Sequence, residues 1–163
     1  MRPLKLNDTK HVMTWVNDPE VVKNFQHFNK KLTVNDEKKF IKTILKSKHD
    51  FVFSFFEKTT GEYVGQGGIH RISWENKLGR LAALVKKEHW NKGYGKEMTQ
   101  RLIKHAFSNL KLHKIWIVVY SSNKKSLYIN QKLGFKKEGL LKDEYFWKGR
   151  YHDMVRMAIT HKK

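Results

Sequence analysis

The run Lys86-Lys87-Glu88-His89-Trp90-Asn91-Lys92-Gly93-Tyr94-Gly95-Lys96 carries the residue types from which an anion site can be made. It follows an apolar segment, Leu81-Ala82-Ala83-Leu84-Val85. It leads into a stretch where Met98, Leu102, Ile103, Ala106 and Leu110 recur at helical spacing. A helix that opens after such a loop leaves its first backbone N–H groups without acceptors of its own, at the positive end of its dipole. Gly93 and Gly95 let a bulky ligand approach the main chain, while Lys92 and Lys96 add mobile positive charge. The chemistry on offer is the binding of a phosphate or diphosphate.

Other glycine motifs fit less well. A Walker loop needs G-x-x-x-x-G-K-[ST], but Gly93 and Gly95 are too close together and Lys96 precedes Glu97. The dinucleotide fingerprint G-x-G-x-x-G fails at Met98. Lys92-Gly93-Tyr94-Gly95 matches the first half of an RNA-recognition strand, but the residues after it follow a helical period.

The elements that must position this loop can be read on either side of it. Leu4 to Leu6 reads as an edge strand. Asn7 or Asp8 can cap a helix carrying Val12, Trp15 and Val16 that stops before Pro19. Val21 to Phe28 reads as a short helix or loop closing one wall of a cleft, and Thr33 to Lys46 as an amphipathic helix. Strands are expected at Phe51–Phe56, Tyr63–Ile72, Gly79–Val85 and Lys114–Tyr120, with Gly65, Gly67 and Gly68 marking a bulge or a close backbone approach. Asn123 can cap a helix from Lys124 to Leu133, ended by Gly134. Phe135–Leu141 and Tyr151–Thr160 read as the last strands, with Glu144 to Arg150 as their connection. No repeat, linker or low-complexity tract interrupts the 163 residues, so one domain over 1–163 is expected.

Composition narrows the class. Lys and Arg number 34 against 15 Asp and Glu, a formal charge of +19, which favours anionic partners and disfavours cationic ones. The absence of cysteine excludes disulfides, thiolate metal sites and a cysteine nucleophile. The nine histidines show no metal-ligand spacing. No apolar run approaches a membrane span and the N-terminus lacks a signal-peptide core, so a cytoplasmic protein is expected.

Several motifs together resemble one family. Trp90-Asn91-Lys92-Gly93-Tyr94-Gly95 is similar to the acetyl-CoA loop of the GCN5-related N-acetyltransferases, Gln/Arg-x-x-Gly-x-Gly/Ala. Asn123-Lys124-Lys125-Ser126-Leu127-Tyr128 with Leu133-Gly134-Phe135 resembles the second signature. Gly149-Arg150-Tyr151-His152-Asp153 resembles the late hairpin of the branch holding ribosomal-protein alanine, spermidine and amino-sugar acetyltransferases. The resemblance runs from Leu4 to Thr160. It departs at Trp90, where the pattern has Gln or Arg, and at Arg80, where many branch members carry a glutamate that deprotonates the amine.

The resemblance implies an α/β (α+β) fold with a mixed, mostly antiparallel sheet flanked by helices, and splayed central strands. It implies acetyl-CoA as cosubstrate and transfer of its acetyl group to a primary amine such as a protein N-terminus or an amino sugar. It allows a ribosomal or other protein substrate and a homodimer. Leu84 and Val85 would supply oxyanion N–H groups, and Asn91, Lys92, Gly93, Tyr94, Gly95 and Lys96 the diphosphate loop. Asn123 and Lys125 would touch the cofactor. Tyr128 is the candidate general acid, because a phenol is protonated at neutral pH; its alternative is a tyrosine buried beside Leu127. Glu75 and then His70 are the candidate bases, beside a water chain. An acceptor-side segment from Asn24 to Lys31 without carboxylates argues against a polyamine. The competing readings are a basic nucleic-acid-binding module and a non-catalytic CoA-binding relative, for which Arg80 is the hint.

Overall fold

The computed structural model describes residues 1–23 and 31–161, so most of the segment Asn24 to Lys31, expected on the acceptor side, lies outside the described residues. Seven strands form one sheet in the order β1-β2-β3-β4-β5-β7-β6. They are β1 (Arg2–Pro3), β2 (Phe51–Phe56), β3 (Tyr63–Ser73), β4 (Leu78–Val85), β5 (Lys114–Tyr120), β6 (Lys136–Trp147) and β7 (Arg150–Thr160). The helices are α1 (Thr9–Val12), α2 (Pro19–Val22), α3 (Val34–Lys46), α4 (Tyr94–Lys104) and α5 (Lys124–Lys132). All pairs are antiparallel except β4 with β5.

That parallel pair is short. Leu78, Gly79 and Arg80 face Lys114, Ile115 and Trp116, and beyond Arg80 the two strands are no longer paired. A parallel pair must be joined by a crossover, here the loop and α4, and the opened strands leave a V between them.

Alternation along the strands separates two faces. Ile69, Leu81, Ile115, Ile117 and Phe135 pack with Met98 and Leu102 of α4. On the other face Leu84 and Tyr63 pack with Val12, Trp15, Val16 and Val21, while Leu4 and Val52 pack with Ile41 of α3. Thr33 caps α3 in a reciprocal box with Asp36. Gly65 is forced by proximity: a Cβ there would lie 2.1 Å from the Leu84 carbonyl oxygen.

Three expectations change. The helix expected to carry Val12, Trp15 and Val16 ends at Val12, and turns lead the chain through Trp15 and Val16 toward Pro19. The first strand pairs at Arg2–Pro3, earlier than Leu4–Leu6, although the Leu4 N–H still reaches the Val52 carbonyl at 2.9 Å. The Glu144–Arg150 connection is mostly strand, because β6 and β7 continue to Trp147 and from Arg150 and meet at a two-residue turn, Lys148–Gly149. No helix among the described residues is long and apolar enough to cross a membrane. No group of three or more His, Asp or Glu among them is placed to hold a metal ion.

Candidate active site

The V between β4 and β5 is the inner end of a cleft of about 740 Å³. Its walls are β4, the loop before α4, the first turn of α4, the end of β5 and the inner side of α5. Gly93 caps α4 with φ +86°, a left-handed conformation that costs glycine nothing, and no side chain caps the helix. The Glu97 N–H turns back to the Gly93 carbonyl at 3.2 Å. Tyr94, Gly95 and Lys96 therefore begin the helix with N–H groups that have no intrahelical acceptor. A Cβ on Gly95 would meet only Val85 Cγ2, at 3.6 Å, and otherwise open space. Exposed donors, a bare approach and the Lys96 ammonium suit a diphosphate.

Strand register sorts the β4 amides. The Lys86 N–H donates to the Val64 carbonyl at 2.9 Å, and the Leu84–Gln66 pair lies two residues further along both strands. Leu84 therefore spends its N–H on β3, and Val85, one residue on, turns its N–H toward the opening. This corrects the assignment of Leu84 as an oxyanion donor, although its residue still lines the cleft. The Val85 carbonyl accepts from the Trp90 indole N–H at 2.8 Å, which ties the loop to the strand.

On α5, Asn123 Oδ1 accepts from the Ser126 N–H at 3.1 Å. Asn130 Nδ2 donates to the Ser126 carbonyl at 2.8 Å and to its hydroxyl at 3.2 Å. Lys125 donates to the side-chain oxygen of Asn91 and so bridges the two walls. Asn91, Gly93, Tyr94, Gly95, Lys96, Val85, Asn123 and Lys125 all line the cleft, and Lys92 does not.

Tyr128 does not belong to this group. Asn123, Ser126 and Asn130 share the inner side of α5, and a residue two positions from Ser126 lies about 200° around the helix. The Tyr128 ring is 61% exposed, with Lys132 Nζ 5.5 Å from its centroid, so it is neither in the cleft nor buried beside Leu127. Glu75 is also displaced: it is exposed in the turn before β4, and β4 runs roughly 23 Å from Leu78 to Val85. His70 Nδ1 lies 3.2 Å from Asp50 Oδ1 and does not line the cleft; burial holds its pKa below the usual value despite that carboxylate.

Helical spacing on α5 could have revealed Ser126 and Asn130, because Asn123 shares their face. Thr99, Met154 and Val21 also line the cleft, and they reach it only through tertiary packing. His89 lies there too, 4% exposed, with Nε2 3.3 Å from Glu62 Oε1. The Tyr94 hydroxyl donates to Glu57 at 2.8 Å, a bond that holds the phenol's pKa above its usual value.

The chain is similar to known proteins over most of its length. The family profile described as "Acetyltransferase (GNAT) domain" matches residues 1–136. The chain is 30% identical over 161 residues to a Bacillus licheniformis protein named uncharacterized N-acetyltransferase p20, covering 98% of this chain and 90% of that one. It is 27% identical over 161 residues to the spermidine N(1)-acetyltransferase of Vibrio cholerae serotype O1, covering 97% and 85%. The structure of the spermidine N-acetyltransferase from Vibrio cholerae, in complex with CoA and spermine, superposes with a TM-score of 0.90. It shares 22% identity and covers 98% of this chain and 93% of that one.

Proposed function

This chain belongs to the GNAT acetyltransferases, and from that premise we propose that it acetylates a primary amine by direct attack of the amine on the thioester of acetyl-CoA. The observation that carries the proposal is the V beyond Arg80–Trp116 opening beside the uncapped N-terminus of α4. Acetyl-CoA supplies an activated acetyl group. The residues of the chain hold it and aim it.

In this reading the N–H groups of Tyr94, Gly95 and Lys96 hold the diphosphate, with Lys96 and Lys125 adding charge. Asn123 and Ser126 line the path toward the V. The Val85 N–H, not spent on β3, would donate to the oxyanion. The amine nitrogen forms the new C–N bond, the C–S bond breaks, and the proton lost by nitrogen balances the thiol released. The cleft side chains named above include no carboxylate, so the amine reacts from its neutral fraction with water taking the proton. Holding the two reactants together supplies several kcal/mol of the acceleration.

The acceptors this reading favours are a protein N-terminus, an amino sugar or another small amine. A polyamine is the second reading, favoured by the spermidine-specific names among the relatives. Against it stands the cleft itself, where Arg80, Lys96 and Lys125 are charged and no Asp or Glu is found among the described lining residues. A thiol-release screen of amines, with products identified by mass, tests both readings. Turnover of N-terminal peptides or amino sugars supports the first. Spermidine as the best acceptor supports the second. Thiol release without an acetylated amine contradicts both.

A further inference from the structure

We propose that the half of the cleft away from α4 is an apolar acceptor pocket, so that the site selects primary amines carried on an alkyl or arylalkyl body. The inference rests on the acetyltransferase reading above and names the substrate class that the cleft takes.

Strand alternation sorts the lining residues onto two sides of the V. Leu81, Ala83, Val85, Ile117 and Val119 pack in the core that holds Met98 and Leu102 of α4. Residues 80, 82 and 84 of β4 and 116, 118 and 120 of β5 therefore turn to the other face, where Leu84 packs with Trp15 and Val21. On β7, Val155 and Met157 lie with the α4 core, so Met154, the register partner of Tyr120, joins the far face. The cleft thus passes through the sheet at the V. On one side it meets the diphosphate loop, and on the other it is lined by Val21, Arg80, Ala82, Leu84, Val118 and Met154.

The far half is a hydrocarbon surface drawn from α2, β4, β5 and β7. Val21, Ala82, Leu84, Val118 and Met154 offer no hydrogen-bond donor. Arg80 stands at the closed inner end of the V and is engaged over Trp116, with Cζ 5.8 Å from the ring centroid. Beyond Met154 the same face continues in aromatic rings. Tyr120 meets His152 and Tyr145 edge-on at 5.5 and 6.0 Å, and burial there pushes the Tyr120 phenol up to about 12. An amine held in the V beside the thioester trails its body over this surface. A hydrocarbon body gains by leaving water there. A second ammonium, or the hydroxyls of a sugar, would lose hydration where no acid or amide side chain stands among the described residues of this half.

The experiment follows kcat/KM along the straight-chain primary amines from ethylamine to hexylamine, which share one basicity and differ only in methylenes. It should rise about 4-fold for each methylene until the pocket is full, the equivalent of about 0.8 kcal/mol per buried CH₂. Hexylamine should exceed cadaverine, which has an ammonium in place of the last methyl, by at least about 10-fold. Val118→Ala should lengthen the chain at which the rise stops, and Ala82→Leu should shorten it. A flat or falling series, cadaverine equal to hexylamine or better, or background rates with every alkylamine would overturn the proposal without needing a variant. A rise that stops at the same length in both variants would overturn it as well. So would a series flat for amines but rising with the acyl chain of the CoA thioester, which gives the pocket to the donor. Acetyl-CoA thermal stabilisation, measured in parallel, separates the two levels. If it is absent the acetyltransferase reading fails too, whereas if it is present with a flat amine series, only the pocket assignment falls.

Discussion

The two faces of the sheet beside the V are built on different principles. On the α4 face the functional groups are main-chain amides at a helix start and a strand edge, and side chains serve mainly by being small. On the α1–α3 face they are buried side-chain charges. Asp8, 2% exposed, accepts from Arg2 at 2.8 and 2.5 Å, from the Lys5 N–H at 2.9 Å and from the Ser54 hydroxyl at 2.8 Å. Glu37 is 4% exposed, and burial pushes its pKa up to about 7. Backbone donors provide binding at little cost to the fold. Buried charges hold shape and specificity, and they couple stability to pH.

Substitutions should therefore divide by face, with the largest effects on the charged one. Asp8→Asn should lose about 1–3 kcal/mol in urea unfolding, because it removes the charge that Arg2 and the buried hydrogen bonds are built around, while Arg2 itself stays partly in solvent. Burial opposes the Asp8 charge, but Arg2, Lys5 and Ser54 outweigh it and hold the carboxyl below its usual range. Its contribution is thus complete above about pH 4 and lost as pH falls through the lower folded value. Glu37 has the reverse sign. Its raised value means stability falls as pH rises from about 4.5 to about 7, and Glu37→Gln should remove up to about 3 kcal/mol of that slope in paired unfolding curves.

On the α4 face the readout should be binding. Gly95→Val should weaken acetyl-CoA by roughly 100-fold in calorimetry with little change in Tm, because the new side chain enters the ligand's space while its Cβ stands in ordinary contact with Val85 Cγ2. Lys125→Met should cost about 5-fold, an effect that shrinks at high salt. Tyr128→Phe should change kcat less than about 2-fold. A loss of 10²–10⁴ there would place the ring in the reaction despite its exposure and would break the division.

The same division explains what could be read from the sequence. The loop from Asn91 to Lys96 was legible because glycines, lysines and a change from strand to helical period are local signals. Phe51–Phe56 and Lys114–Tyr120 appear as read, since continuous apolar runs suit buried strands. Tyr128 was misplaced because its residue type suits the chemistry, while the helical phase set by Asn123 puts Ser126 and Asn130 inward. Glu75 was misplaced because adjacency to a strand does not say which end of it faces the cleft. Asp8 reads as a helix cap, and its side chain instead serves Arg2 and Ser54, a partner 46 residues away. Leu84 and Val85 could be told apart only through strand register.

The central claim is that main-chain amides at the start of α4 grip the diphosphate of the cofactor. Calorimetric titration of the wild-type protein with acetyl-CoA and with S-acetyl-pantetheine, which lacks the diphosphate, tests it most directly. Saturable heat with acetyl-CoA is expected, and binding at least about 100-fold weaker without the diphosphate. Equal affinities, or no heat with either compound, would contradict it.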